Sequence, residues 1–375
     1  MKILVIASYP NSILNFRGHL LQRLMMLGHE VTVAAPGLTG AWADGLEKLG
    51  IHTVDYRLDR ASVNLFSDWA TLRSLYQIVR RLKPDIVLGY TVKPVIYGTF
   101  AARLAGVKKC YSLITGLGYA FSGSGVKRRI IRTLLMLLYK VALRLNRRVI
   151  FQNKDDQALF HQLKLVSAKK TSVVNGSGVD LTHYEKIPLP ALPMRFLLVA
   201  RLLKEKGIFE YLEAAKQLKK SHPEAVCQLL GPVDPNPGGI GLEQVQSWHE
   251  QGWLEYLGET TDVRPFIQQC HVFVLPSYRE GTPRTVLEAM SIGRPIITTD
   301  VPGCRETINA NNGILIPAQD SHALYAAMLK IMADEVGMNA QANASRLFVE
   351  EKFDVHHINV LMTEVILEEK MEQCV

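Results

Sequence analysis

Short, near-continuous runs of Val, Ile and Leu recur along this chain, each followed by a longer amphipathic stretch, and the series is run twice. In the first half the predicted strands are Lys2–Ala7, Glu30–Ala35, His52–Tyr56, Asp85–Tyr90, Cys110–Thr115, Arg148–Gln152 and Thr171–Val174. Predicted helices between them include Arg17–Leu27, Asp68–Leu82 and Val95–Ala105. Strands apolar on both faces must be covered on both faces, so the pattern specifies a parallel sheet between two layers of helix. At Glu185–Pro193 three prolines fall within nine residues, which reads as a stiff connector.

After the connector the alternation restarts, with Arg195–Ala200, Val226–Leu230, Leu254–Leu257, Val272–Pro276, Pro295–Thr299 and Ile314–Ile316 as strands. The expected architecture is α/β, with two Rossmann-like parallel-sheet domains at 1–185 and 186–354. A last helix within 355–375 is a candidate to pack back on the first domain. The chain has 375 residues, ample for two such cores. Its five cysteines are scattered without a C-x-x-C, against a disulfide framework or zinc ribbon and in keeping with a reducing cytosol. No histidine, His356-His357 included, has metal-ligand spacing, so no metal site is expected. Met1–Ala7 is too short for a signal peptide, and no run of about 18 apolar residues could cross a bilayer.

Ligands of open α/β sheets sit beyond the carboxyl ends of the strands, so the residues after each strand matter most. Arg201 and Lys206 flank one strand-to-helix turn and could neutralise a diphosphate, although a solvated basic turn would look the same. Farther on stands Ser277-Tyr278-Arg279-Glu280-Gly281-Thr282-Pro283-Arg284, with Glu288 next on the helix. Thr282 and Pro283 suit a helix cap and first turn. Gly281 admits a close ligand, and the free N–H groups there would attract an anion. Glu280 and Glu288 suit vicinal hydroxyls better than phosphate, because a carboxylate accepts two hydrogen bonds from a diol.

Arg201-x4-Lys206-Gly207 followed by Glu280-Gly281-x6-Glu288 resembles the signature of family 4 retaining glycosyltransferases, which have the two-domain GT-B fold with a cleft between the domains. Gly258-Glu259-Thr260 and Gly293-x-Pro295 extend the resemblance, as do Asn15-Phe16-Arg17, Arg60-Ala61-Ser62-x-Asn64 and Gly116-Leu117-Gly118. Together they look like the bacterial subgroup that extends sugars on undecaprenyl diphosphate. The resemblance implies that Arg201 and Lys206 bind a UDP-sugar's diphosphate. It implies that Glu280 and the N–H groups around Gly281 and Thr282 meet the sugar, Glu288 the ribose, and Gly258, Glu259 and Thr260 the uracil. Arg201, Lys206 and Glu280 would then be catalytic. Asn15, Arg17, Arg60, Asn64, Gly116 and Gly118 would face the acceptor, with a capping role for the Ser62–Asn64 region equally open. UDP-sugar is a substrate, so no cofactor is implied. The chain departs from the family in lacking a Gly-rich loop after its first strand and in carrying Thr115-Gly116 where many members have a His.

Breaking the anomeric bond puts negative charge on the departing diphosphate, which preplaced cations stabilise. The sequence has no D-x-D to anchor a metal, so Arg201 and Lys206 would do that work. The resemblance implies retained anomeric configuration, with a leaving-group oxygen taking the acceptor proton.

Charge supplies a further expectation. Residues 1–185 hold 26 Lys and Arg against 11 Asp and Glu, whereas 186–375 hold 17 against 24. Lys127–Arg148 concentrates the excess: Lys127, Arg128, Arg129, Arg132, Lys140, Arg144, Arg147 and Arg148 stand there without an acid, among apolar residues at helical spacing. This reads as a basic amphipathic helix for an anionic membrane surface, or as a core helix with a basic outer face. No stacking platform or groove-reading motif supports nucleic acid. Tyr119–Gly125, before the helix, reads as a lipid-dipping loop or an ordinary flexible one. Gly231–Gly239 reads as a mobile loop near the donor.

The leading expectation is a peripheral transferase on the cytoplasmic face of the inner membrane. It would move a sugar, an N-acetylhexosamine by resemblance, from UDP to a polyprenyl-diphosphate-linked glycan. A GT-B UDP-sugar epimerase would need no acceptor, and a non-catalytic sugar-nucleotide-binding membrane adaptor would need no paired carboxylates.

Overall fold

The structure, a computed structural model, describes residues 1–59, 65–116, 126–236 and 238–368, without the side chains of 41, 65, 126–130 and 132. Two compact units emerge: residues 1–177 with 356–375, and residues 178–355.

In the first unit seven parallel strands run β1 (Lys2–Ile6), β2 (Glu30–Ala35), β3 (His52–Asp55), β4 (Ile86–Tyr90), β5 (Lys109–Ile114), β6 (Arg148–Phe151) and β7 (Thr171–Val173). Their order across the sheet is β3-β2-β1-β4-β5-β6-β7. The order reverses direction between β1 and β4, so right-handed crossovers put the helices before and after the reversal on opposite faces. One face is packed by Asn11–Met26 through Leu20, Leu21 and Leu24, and by Val355–Leu367 through Ile358, Met362 and Ile366. The C-terminal helix therefore belongs to the first unit. Arg23 Nε donates to Thr363 Oγ1 at 3.2 Å to tie it down. The other face carries Leu65–Leu82 and Thr99–Leu104, which bury Leu75, Ile78, Val79, Ala101 and Ala102. Val126–Leu145 follows on that face through Tyr139, Ala142 and Leu143.

The second unit repeats the scheme with six parallel strands: β8 (Arg195–Val199), β9 (Val226–Leu230), β10 (Glu255–Tyr256), β11 (Val272–Leu275), β12 (Ile296–Thr299) and β13 (Gly313–Ile316). The order is β10-β9-β8-β11-β12-β13, with the reversal between β8 and β11. Phe196, Leu198, Val274 and Ile297 fill one side of this sheet, and Leu197, Phe273, Leu275 and Ile296 the other.

The Pro-rich stretch differs from expectation. The division between units falls at Ser177 and Gly178, and residues 185–193 lie inside the second unit. They are held there by Arg294, a fully buried cation (0% exposed). Its guanidinium donates to the carbonyls of Pro188 at 3.2 Å, Ile187 at 3.3 Å, Ile267 at 3.0 Å and Gln268 at 3.1 Å. Prolines donate nothing, but their carbonyls need partners, and a planar five-donor fork supplies several at once. His271, also buried, accepts from the Arg195 N–H through Nδ1 at 3.1 Å, while its backbone N–H donates to the Arg195 carbonyl at 2.9 Å. Cys110, Cys227, Cys270 and Cys304 are buried too, with thiols pushed up to about 11 or 12 chiefly by desolvation, which makes them inert as nucleophiles.

Two outcomes follow from these buried groups. Arg294→Met, keeping bulk but removing the donors, is expected to destabilise the second unit by about 3 kcal/mol, seen as a lower urea midpoint. Burial lowers the His271 pKa, so the folded chain resists a proton that the unfolded chain accepts. The His271 contribution is complete above about pH 6.5 and is lost as pH falls below it, at up to about 1.4 kcal/mol per unit. Denaturation at stepped pH should show that acid limb, and His271→Gln should flatten it.

Candidate active site

The carboxyl ends of β8 and β11, either side of the reversal in the second unit, carry the residues that the sequence singles out. From β8 come Arg201 and, after a short turn at Lys204–Lys206, Gly207 and the helix Ile208–Ser221. Gly207 has φ +72°, and a Cβ there would lie 2.1 Å from the Pro276 carbonyl oxygen. Only glycine lets the β8 turn press against the end of β11. That contact brings Lys206 Nζ to 2.5 Å from Glu280 Oε1, with both side chains largely buried. Ser277 Oγ donates to the same oxygen at 2.7 Å. The Tyr278 N–H donates to the Glu205 carbonyl at 2.9 Å, so backbone and side chains join the two strand ends.

The Glu280 loop is clamped from its other side. Glu280 N–H donates to Pro302 O at 3.1 Å, and Gly303, at φ +81°, would drive a Cβ to 2.4 Å from Glu280 O. The absence of a Cβ at Gly303 is thus required by the Glu280 loop, a need that distance along the chain conceals. The following helix is Arg284–Ile292, and Pro283 occupies its cap position without a side-chain cap bond. It begins one residue later than Thr282 and Pro283 predict, because Pro283 adopts an extended ψ of 107°.

Glu288 lies on the buried side of that helix, 6% exposed. Its Oε1 accepts from the Tyr184 hydroxyl and from Arg284 Nε, each at 2.9 Å. Burial raises its pKa, while Arg284 and the Tyr184 hydrogen bond pull the other way. Tyr184 is in turn fixed through its carbonyl, which accepts from Ser291 Oγ at 2.6 Å and Arg346 Nη1 at 3.2 Å. Neither Tyr184 nor Arg284 was singled out as functional from the sequence. Arg284 is legible in hindsight as the i−4 neighbour of Glu288, whereas Tyr184 is 104 residues away.

Arg201 lies apart from that cluster, with its Nη1 2.5 Å from Asp234 Oδ2. Arg201 is about half exposed and Asp234 is buried. Asp234 belongs to the 231–239 segment, which differs from the expected mobile loop. Apart from Pro237, which lies outside the described residues, it is laced to the β8 turn. Leu202 N–H donates to Pro232 O at 2.8 Å, Lys204 N–H to Gly238 O at 2.9 Å, and Ile240 N–H to Leu202 O at 2.8 Å. Beyond β10, Gly258 takes φ +76° and its carbonyl accepts the Gly231 N–H at 2.8 Å. Glu259 and Thr260 are exposed beside it, and Thr260 Oγ1 bonds the Asp262 backbone. The structure therefore brings Lys206 and Glu280 into contact, sets Arg201, Glu288 and Gly258–Thr260 on the same strand-end rim, and gives each of the two cations a carboxylate.

In the first unit, Asn15 is exposed and hydrogen-bonded to Asn11 at 2.5 Å. Arg17 is 3% exposed, with its guanidinium 5.7 Å from the centre of the Tyr90 ring. Its place is within the packing behind the strand ends. Gly116 follows β5 at φ +130°. Arg60, Asn64 and Gly118 lie outside the described residues, as do the side chains of Lys127, Arg128, Arg129 and Arg132. On Val126–Leu145, Lys140 is half-buried and Arg144 exposed. Arg147, just beyond, pairs with Glu368 at 2.6 Å. The helix's outer side also exposes Leu134, Leu137 and Val141, an apolar stripe where the sequence predicts a basic face.

Two parallel sheets with these strand orders are those of the GT-B fold. Family models divide nearly the whole chain: glycosyl transferases group 1 over residues 182–348 and glycosyl transferase 4-like domain over residues 15–176. With these two domains the chain is a glycosyltransferase. It is 29% identical, over 92% of its length and 93% of the relative's, to the N,N'-diacetylbacillosaminyl-diphospho-undecaprenol alpha-1,3-N-acetylgalactosaminyltransferase of Campylobacter jejuni. It is 28% identical, over 73% of each chain, to the UDP-Gal:alpha-D-GlcNAc-diphosphoundecaprenol alpha-1,3-galactosyltransferase of Escherichia coli. Among solved structures, sucrose-phosphate synthase of Thermosynechococcus elongatus superposes with a TM-score of 0.82 at 18% identity, covering 98% of both chains. HepE of Anabaena in complex with UDP superposes with a TM-score of 0.77 at 18% identity, covering 98% of this chain and 100% of that one.

Gly207→Ala is expected to separate the two strand ends and lower kcat at least about tenfold while leaving far-ultraviolet circular dichroism unchanged. Tyr184→Phe removes one hydrogen bond to a charged group. If Glu288 holds the sugar donor, KM for that donor should rise about tenfold with kcat nearly constant, in steady-state assays with acceptor saturating.

Proposed function

We propose that this chain transfers a sugar, with retention of anomeric configuration, from a UDP-sugar to an undecaprenyl-diphosphate-linked saccharide during bacterial glycan assembly. The observation that carries the reading is the Lys206–Glu280–Ser277 cluster at the strand reversal, with Arg201 and Glu288 on the same rim. Both undecaprenol-linked relatives named above support the acceptor class. The name of the second supports uridine as the nucleotide, and that of the first supports an N-acetylhexosamine as the sugar.

In this mechanism the diphosphate draws Lys206 and one side of the Arg201 fork. The fork has five donors and shows one bond to Asp234, so it can hold a phosphate without releasing its carboxylate. Glu280, held by Ser277, turns its acceptor oxygens to sugar hydroxyls. Glu288 offers the carboxylate held by Tyr184 and Arg284 to the ribose diol. As the anomeric bond lengthens, negative charge gathers on the diphosphate between Lys206 and Arg201, where fixed positive charge lowers the barrier. A leaving-group oxygen takes the acceptor proton as the new bond forms on the same face.

Acceptor approach is assigned to Asn15, Arg60, Asn64, Gly116 and Gly118 in the first unit, and Arg17, buried against Tyr90, is left to the packing. No helix among the described residues is long and apolar enough to cross a membrane. The enzyme would meet its lipid-linked acceptor as a peripheral protein on the cytoplasmic face. Val126–Leu145 would lie against lipid, through Leu134, Leu137 and Val141 between basic side chains.

Purified protein supplied with UDP-N-acetylhexosamines and an undecaprenyl-diphosphate saccharide is expected to release UDP and extend the glycan. Product NMR should show the donor's anomeric configuration. Lys206→Ala and Glu280→Ala should each lower kcat/KM by at least about a hundredfold with the fold intact. Full activity in both would remove the site assignment, and UDP-sugar turnover without acceptor would favour an epimerase.

A further inference from the structure

A second helix of the first unit carries an outward face unlike an ordinary solvated one. On Leu65–Leu82, positions 66, 69, 73, 76 and 80 follow one another at spacings of three and four, and so line one side. They are Phe66, Trp69, Arg73, Tyr76 and Arg80. Phe66 is 86% exposed and Trp69 60%. The Arg73 guanidinium stands 5.5 Å from the centre of the Trp69 ring. That of Arg80 stands 5.9 Å from the Tyr76 ring, and its Nη1 is 3.3 Å from the Tyr76 hydroxyl. Two exposed rings thus stand at one end of the stripe and two guanidinium groups follow, with Tyr76 half-buried and packed partly on the core. The opposite side is the core side, with Thr71, Leu75, Ile78 and Val79 buried.

Charge on this face has one sign. The helix contains a single acid, Asp68, whose Oδ1 accepts from Lys93 Nζ at 2.7 Å and whose side chain is largely buried. Arg73, Arg80, Arg81 and the following Lys83 are all exposed. An isolated pair of apolar side chains needs no explanation in a soluble protein. A tryptophan and a phenylalanine one turn apart, extended by arginine-capped rings and lacking an outward acid, match the headgroup layer of an anionic bilayer. There, amphipathic rings and basic side chains are both favoured.

The position within the unit agrees. Leu65–Leu82 packs beside Pro94–Gly98 and Thr99–Leu104, and Val126–Leu145 packs against the same two segments. Both helices therefore cover one face of the sheet, and both expose apolar residues outward. Because the helix runs from the β3 end back towards β4, Phe66 and Trp69 lie at its end nearest the carboxyl edge of the sheet. We infer that this aromatic–arginine stripe is a lipid-contacting surface, in which Phe66 and Trp69 enter the headgroup region of an anionic membrane and Arg73 and Arg80 hold its phosphates. The inference rests on the peripheral-membrane reading above for its setting and adds a contact surface on a separate helix.

The test is partition of the full chain onto vesicles of phosphatidylethanolamine with phosphatidylglycerol, against phosphatidylcholine alone, by co-sedimentation. The wild-type chain should favour the anionic vesicles. Phe66→Ser combined with Trp69→Ser should weaken that partition at least about tenfold, and Arg73→Gln with Arg80→Gln should reduce the preference for anionic lipid. Melting temperature and UDP binding should be unchanged in both. With brominated anionic lipid, tryptophan emission should be quenched in the wild type and clearly less so in Trp69→Phe. Wild-type partition by the double serine variant, undiminished quenching in Trp69→Phe, or wild-type retention by single-stranded RNA but not by vesicles would each overturn the inference. Transfer to a short-chain, water-soluble acceptor is scored separately. Loss of transfer with vesicle binding intact counts against the catalytic reading alone.

Discussion

Lys206 and Glu280 reach each other from opposite sides of the break in strand order, and much of the second unit exists to make that meeting possible. The β8 turn can approach β11 only because Gly207 has no Cβ, and the Glu280 loop can settle against 302–303 only because Gly303 has none. Ser277 and the Tyr278 backbone then fix what the glycines allow. Ion pairs at exposed sites contribute little to stability. This one is largely buried, so removing either partner would leave the other without its contact. It follows that the pair is better understood as a poised contact than as a fastening. A ligand carrying both negative charge and hydroxyl groups offers each partner a replacement.

The sheets were legible because both faces of the central strands are buried, which writes a continuous apolar run into the sequence. Arg201, Lys206, Glu280 and Glu288 were legible because strand-end positions concentrate ligand chemistry and because the motif falls within two short windows. What escaped was long-range. Tyr184 meets Glu288 across 104 residues, Asp234 meets Arg201 across 33, and Gly303 serves a loop more than twenty residues earlier. No periodicity or spacing encodes such pairs. The Pro-rich stretch misled for a related reason. Three prolines describe a stiff chain, but not that a buried arginine 106 residues after Pro188 binds the carbonyls of Ile187 and Pro188.

The charge difference between the halves has a structural counterpart. Several of the first unit's basic groups are engaged locally: Lys93 with Asp68, Arg147 with Glu368, and Lys170 with the carbonyls of Arg144 and Asn146. Net charge therefore overstates what an anionic surface would meet. The exposed residues matter more, and on one face of the sheet those described include Arg73, Arg80, Arg81 and Arg144 among aromatic and aliphatic side chains. A basic run by itself attracts any polyanion. Basic groups set among exposed rings and leucines favour one that offers an apolar layer beneath its charge.

On the proposed reading, the carboxylate partners of the two cations also bear on catalysis. With Glu280 on Lys206 and Asp234 on Arg201, the four formal charges cancel, so the site without donor has little net pull on an anion. A diphosphate alone would have to share both cations with their carboxylates. A nucleotide sugar does more, because its hydroxyl groups give Glu280 new hydrogen bonds as Lys206 turns to phosphate. Sugar recognition and diphosphate recognition are then one event. The positive charge needed by the departing diphosphate is fully expressed only when a sugar is present to be transferred, and a bare nucleotide diphosphate would be held less firmly than the intact donor.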